Sequence, residues 1–150
     1  MKCAGVIEIA GDKRTVMNKE VIRRIFTDYK NIAAVGMSTK PDRPSQQVPL
    51  YLREHGYHIL PVNPTAREIA GIKAYPDLLS IPERVDVVDI FVHSEDVPPI
   101  VEQAIQIGAK VVWMQEGIVN EPAAARAREA GLTVVQDMCM RATHRLLFGQ

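Results

Sequence analysis

Short apolar runs alternate with capped amphipathic stretches along most of this chain. That alternation restricts the fold more than any other feature. Residues 31–37 (NIAAVGM), 57–62 (YHILPV), 86–92 (DVVDIFV) and 109–114 (AKVVWM) are near-continuous in apolar side chains. Runs of this kind read as strands buried on both faces. Two shorter runs, 71–75 and 132–135, extend the series. Between the runs lie helices with start and stop signals. Asn18 precedes a stretch in which Val21, Ile22, Ile25, Phe26 and Tyr29 share one face. Ser45 is placed to cap a helix running to about His55, with Val48, Tyr51 and Leu52 inward and Gly56 as its stop. Asp96 is placed to cap the next, with Pro98 and Pro99 in its first turn, where amide hydrogens lack partners anyway, and Gly108 at its end. Asn120 opens an Ala-rich helix ended by Gly131, and a short helix closes the chain within 136–150.

Strands and helices in alternation predict an α/β fold: a mostly parallel sheet, doubly wound and Rossmann-like. Right-handed crossovers favour the strand order 3-2-1-4-5-6, with 31–37 first and 71–75 third. Pro61 counts against 57–62 as an interior strand, because it cannot donate to the ladder, but it stands near the strand's end. Residues 1–16 show no clear period and read as an extension, a short strand or a loose arm, ahead of a domain spanning 17–150.

The chain has 150 residues, enough for one domain with its own core. Lys plus Arg and Asp plus Glu are both 18, a balance that argues against nucleic-acid binding. Its two cysteines, Cys3 and Cys139, have no CxxC spacing, so neither a disulfide scaffold nor a zinc site is expected. No run approaches the roughly 20 apolar residues of a membrane helix, and the N-terminus lacks signal-peptide character. A reducing cytoplasm is the expected setting.

In an open parallel sheet, ligands bind beyond the carboxyl ends of the strands, at the switch point. That point is expected between 31–37 and 86–92. The loop after the first run carries Gly36, Met37, Ser38, Thr39, Lys40, Arg43 and Ser45. Gly36 permits a tight turn. Ser38, Thr39 and Ser45 bring hydroxyls, and Lys40 and Arg43 bring charge for phosphates. A solvated connector would look the same; its place in the fold favours phosphate binding. The loop is not GxGxxG, and Val62, Asn63 and Pro64 stand where a dinucleotide site has its ribose-binding acid. Asn63 could serve a base or ribose, or form an Asx turn with Pro64. Phe91, Val92 and His93 end the fourth run, and Gln115 and Glu116 end the fifth. Phe91 is as fitting in a core as against a ligand. Trp113 suits a core or a subunit interface. Cys139 and His144 are poorly spaced for a nucleophile pair, although Cys139 near the site could form a mixed disulfide with a thiol ligand. His55 and His58 read as surface or edge residues.

These motifs resemble the small stand-alone CoA-binding domain proteins, related to the CoA-binding domain of the succinyl-CoA synthetase alpha subunit. The resemblance rests on IAAVGMSTKPDRPSQQVPLYLREHGYHILPVNP, EIAGIKAYPDLLSIPERVDVVDIFV and IVEQAIQIGAKVVWMQEGIVNEPAAARAREAGLTVVQDMCM, from about Asn31 to His144. It implies coenzyme A held across the strand ends by Gly36, Met37, Ser38, Lys40, Arg43 and Ser45, by Val62, Asn63 and Pro64, and by Phe91, Val92 and His93. It departs from the group at His93, where an Arg is expected, and at Thr143, where a Glu is expected. It transfers binding and no ligase reaction, because the synthetase's phosphohistidine belongs to a further domain.

The expected function is therefore binding of CoA or an acyl-CoA without catalysis. The alternatives are an NAD(P)-linked oxidoreductase, for which fingerprint and acid are missing, and a thiol-redox protein pairing Cys139 with CoA. Trp113 and the Ala-rich helix leave room for a homodimer, and a partner enzyme that receives CoA is compatible with the sequence.

Overall fold

The computed structural model describes Val6–Glu8 and residues 18–149. In chain order the elements are β1 (Val6–Glu8), α1 (Lys19–Asp28), β2 (Asn31–Val35), α2 (Pro44–Glu54), β3 (His58–Val62), β4 (Glu68–Ile69), β5 (Ile72–Lys73), β6 (Val87–Ile90), α3 (Val97–Gln106), β7 (Val111–Met114), α4 (Glu121–Glu129), β8 (Thr133–Gln136) and α5 (Met140–Phe148). Among the described residues the main sheet runs β1-β8-β7-β6-β2-β3. All its pairings are parallel except β1 on β8, so the fold is the mostly parallel, Rossmann-like α/β architecture expected.

Both faces of the sheet are covered. One carries Ile22, Ile25 and Phe26 of α1 with Val48, Tyr51 and Leu52 of α2, packed on Val87, Trp113 and Val135. The other carries Val101 and Ala104 of α3 with Ala123, Ala124 and Ala127 of α4, packed on Val88, Val112 and Val134. This is why β6 and β7 are buried at every position and read as unbroken apolar runs. It also fixes Trp113, which is fully buried and donates from its indole nitrogen to the carbonyl of Met138 at 2.7 Å. Trp113 and Ala123, Ala124 and Ala127 of α4 face this chain's own core, while Ala125 is half-buried.

Several helix ends follow the sequence. The Asn18 carboxamide oxygen accepts from the amides of Glu20 and Val21, and that of Asn120 from Ala123. Two caps differ. Pro44 takes the first helical position of α2, which makes Arg43 the capping residue and puts Ser45 inside the first turn. Asp96 stands at the start of α3, but a 3-10 turn over Ser94–Asp96 precedes it and its side chain makes no capping bond.

The third strand is also different. Ala70 and Gly71 both have positive φ, 51° and 79°, and fold the chain back into the small β4–β5 hairpin. Only Tyr75 reaches the main sheet, as a bridge to Val62. The edge strand is therefore β3, where Pro61 needs no amide hydrogen and its carbonyl accepts from Tyr75 at 2.9 Å. At the opposite edge β1 pairs with β8 within the segment that the sequence set apart as 1–16. The rest of that segment, Cys3 included, lies outside the described residues.

Candidate functional site

The chain leaves β2 for one edge of the sheet and β6 for the other, so the switch point lies between these neighbours. Gly36 stands there with φ +87°, and a Cβ on it would meet Val92 Cγ1 at 3.0 Å and the Phe91 carbonyl carbon at 3.3 Å. The absence of a side chain lets the loops after β2 and β6 touch. The Gly36 amide donates to Val62 at 3.0 Å, and the Asn63 side-chain amide donates to Met37 at 3.1 Å. The other end of Asn63 accepts from Thr65 and Ala66, each at 2.9 Å. Asn63 thus makes an Asx turn and ties the end of β3 to the loop after β2, with both ends of its amide engaged.

Beside this knot, on the α1–α2–α5 face, a cleft of about 400 Å³ opens over the strand ends. Its near wall is the start of α2, with Arg43, Pro44, Ser45 and Val48. Phe91 and Gln115 form the floor, and Glu116 and Ile118 close one side. Cys139 and Arg141, at the start of α5, form the far wall. Two helix N-termini therefore meet the cleft, each helix carrying an arginine at its opening, an arrangement that favours an anion. Glu116 is the opposing charge on the rim.

Local sequence explains the walls. Pro49 lies inside α2 and has no amide hydrogen for the Ser45 carbonyl. That oxygen instead accepts from the Ser38 amide at 3.3 Å, and the Gln46 side chain donates to the Ser38 carbonyl at 2.9 Å. The Ser38 hydroxyl accepts from the Lys40 amide at 3.0 Å. The first loop is thereby bound to its own helix. The far wall is strapped to β7: Gly117 donates to the Asp137 carboxylate at 2.7 Å, and Met138 donates to Met114 at 3.2 Å. The Met140 amide donates to the Gln115 side-chain oxygen at 3.4 Å.

The expected site residues separate accordingly. Arg43, Ser45, Phe91, Gln115 and Glu116 line the cleft, and so does Cys139. Gly36 and Asn63 shape the switch point. The side chains of Met37 and Val62 are buried in the core, so only their backbone faces the loops. Lys40, Pro64 and His93 are exposed outside the cleft wall, and Val92 packs against the α3–α4 core. His144 does not pair with Cys139: it is buried against α2, its Nδ1 2.8 Å from the Tyr51 hydroxyl. Burial pushes the Cys139 thiol above its ordinary pKa, with Asp89 adding to the rise. No group of metal-ligating side chains is found among the described residues, and none of their helices is long and apolar enough to cross a membrane.

Two residues went unread in the sequence. Arg141 lies just past the last strand, where the same carboxyl-end rule that selected the other loops would have found it. Asp89 is fully buried in β6 directly behind Gln115, whose side-chain nitrogen donates to its Oδ1. Its Oδ2 has no partner among the described residues. Burial raises the Asp89 carboxyl to about 8. A charged residue in a strand apolar on both faces was the available signal.

Residues 30–145 match the family of the CoA binding domain. The chain is 40% identical over 127 residues to YneT, an uncharacterized protein of Bacillus subtilis, covering 85% of this chain and 94% of that one. It superposes with a TM-score of 0.87 on a hypothetical protein from Pyrococcus horikoshii, at 48% identity, covering 89% of this chain and 94% of that one. It is also 35% identical over 95 residues, 61% of its length, to an ADP-forming acetate–CoA ligase of Archaeoglobus fulgidus, of which the match spans 14%. The chain belongs to the CoA binding domain family.

Proposed function

We propose that this protein binds coenzyme A, or an acyl-CoA, in the cleft at the switch point, as a carrier or sensing module without catalysis of its own. The observation that carries this reading is the cleft itself, in which the starts of α2 and α5, with Arg43 and Arg141 among the lining residues, meet over a floor of Phe91 and Gln115. Such a site matches a ligand with phosphates at one end and a long, mostly uncharged arm at the other. Lys40 and Ser38, in the same loop as Arg43, are within the stretch that would meet the phosphates. The reading agrees with a family defined by CoA binding and with a relative that is an ADP-forming acetate–CoA ligase. An NAD(P)-linked reaction has less support, since the Asn63 amide is already engaged at both ends and no acid stands beside it for a ribose diol.

Isothermal titration calorimetry with CoA and 3′-dephospho-CoA tests the reading. Binding of CoA that weakens without the 3′-phosphate is expected. No heat with either ligand from folded protein would return the site to an unassigned cleft.

The position of Cys139 in the cleft wall favours a second reading, in which its thiol exchanges with CoA disulfide to give a protein–CoA mixed disulfide and free CoA. The raised thiol pKa makes that exchange slow at neutral pH. Mass spectrometry after exposure to CoA disulfide decides it, and an unmodified Cys139 removes it.

A further inference from the structure

The carboxyl group at position 89 is only half satisfied within the fold. It lies in a strand whose every residue is buried, one hydrogen bond ties it to Gln115, and its second oxygen has no partner among the described residues. An apolar side chain would pack there at lower cost. What the carboxyl does is hold a neighbour. Gln115 is itself almost fully buried, yet it forms part of the cleft floor. Its amide is clamped between an acceptor, Asp89 Oδ1, and a donor, the Met140 backbone N–H. A backbone N–H only donates, so the Gln115 oxygen must face Met140 and its nitrogen must face Asp89. The carboxamide therefore has one orientation. After both bonds are made it retains one N–H and one oxygen lone pair.

We propose that Asp89 is a positioning residue for the ligand's arm, holding the Gln115 carboxamide so that its remaining N–H and lone pair meet an amide of that arm. The proposal rests on the CoA reading of the cleft, and it assigns the secondary amides of the pantetheine arm as the groups recognised. A secondary amide offers one donor and one acceptor, the complement of what the clamped carboxamide has left. The arginines at the two helix starts serve the phosphates, so the floor and the rim recognise different parts of one molecule. Without Asp89, the Gln115 nitrogen loses its acceptor and the carboxamide is held from one end only, by the Met140 N–H at 3.4 Å.

The test compares CoA with adenosine 3′,5′-bisphosphate, which keeps the nucleotide and lacks the arm. In the full chain, Asp89→Leu is expected to weaken CoA binding about tenfold, the loss of one well-oriented polar contact, and to leave the bisphosphate within twofold. Asp89→Asn keeps an acceptor for Gln115 and is expected to restore CoA affinity to within threefold of the wild type. A purely structural defect would weaken both ligands together. An unchanged ratio of the two affinities in Asp89→Leu overturns this proposal alone. Absence of binding by either ligand to the folded wild-type chain overturns the CoA reading with it. Should Asp89→Leu not fold, the side-chain amide resonances of Gln115 in the wild type carry the test. CoA must shift them and the bisphosphate must leave them in place, and equal effects overturn the proposal.

Discussion

The amide of Ser38 donates to the carbonyl of Ser45 at 3.3 Å, an acceptor that Pro49 leaves free inside α2. A helix normally uses that carbonyl for its own ladder. Here the break in the ladder holds the loop that carries Lys40 and Arg43. Pro49→Ala supplies the missing amide, which competes for Ser45. The expected result is a chain more stable by about 1 kcal/mol or more, with CoA binding weakened severalfold. Thermal denaturation and calorimetry on the same samples check both halves. Gained stability with unchanged affinity would separate the loop from the helix break.

Gly36 is a second point at which backbone geometry sets the site. Alanine there is strained at φ +87°, and its Cβ meets Val92 Cγ1 at 3.0 Å and the Phe91 carbonyl carbon at 3.3 Å. Gly36→Ala is expected to cost about 1–3 kcal/mol, measured by chemical denaturation, and to open the switch point enough to abolish CoA binding. A stability within 0.5 kcal/mol of wild type, about the usual spread for neutral surface changes, would contradict the close approach.

Much of this was legible in the residues. The central strands could be read because burial on two faces leaves continuous apolar runs such as VVWM, and Asn18 and Asn120 could be read because a cap is a local interaction. A strand does form within 71–75, but outside the main sheet, because Ala70 and Gly71 turn the chain back at its start and pair it with β4. β1 was open because its partner β8 lies more than a hundred residues away and three residues carry no period. The Ser45 cap failed because Pro44 begins the helix two residues before the Gln46 start that a Ser45 cap implies. In the site, the loops after β2 and β7 were found by their position at strand ends, while Asp89 was hidden inside an apolar run and Arg141 was passed over beside Cys139.

Asp89 also makes stability depend on pH. Its carboxyl titrates near 8 in the fold against an ordinary value of 3.8, because burial disfavours the charge. Between those values the folded chain holds a proton that the unfolded chain has released, so stability falls as pH rises from about 4 to about 8, then levels. A carboxamide at this position has no proton to lose. The gain of Asp89→Asn over wild type should therefore be absent near pH 4 and full near pH 8, on the order of 1–3 kcal/mol. Denaturation midpoints across this range provide the check; parallel curves for the two proteins would refute a protonated Asp89.

His144 acts in the opposite direction. Burial, with His55 and Lys30 nearby, holds it below its ordinary 6.5. It stays neutral in the fold while the unfolded chain takes up a proton, so acidification below about 6.5 costs stability until its own lowered pKa is passed. His144→Gln should flatten the acid limb of the stability curve, even if it lowers the plateau by losing the Tyr51 contact. An acid limb as steep as that of wild type would assign the proton uptake to another group.

Arg141 offers the sharpest test of the rim. It is half-buried in the cleft wall at the first turn of α5, where the helix dipole and its own charge act on the same space. A phosphate at the rim would gain a charge-assisted bond there, typically about 1.5–3 kcal/mol. Arg141→Gln keeps hydrogen-bonding capacity and removes the charge. CoA affinity is expected to fall about tenfold, and its dependence on salt to become shallower, because one fewer positive charge faces the anion. Adenosine 3′,5′-bisphosphate should lose as much as CoA does, since the contact is with phosphate and not with the arm. A loss confined to CoA would instead put Arg141 beside the pantetheine arm or the phosphate that carries it, the two parts the bisphosphate lacks.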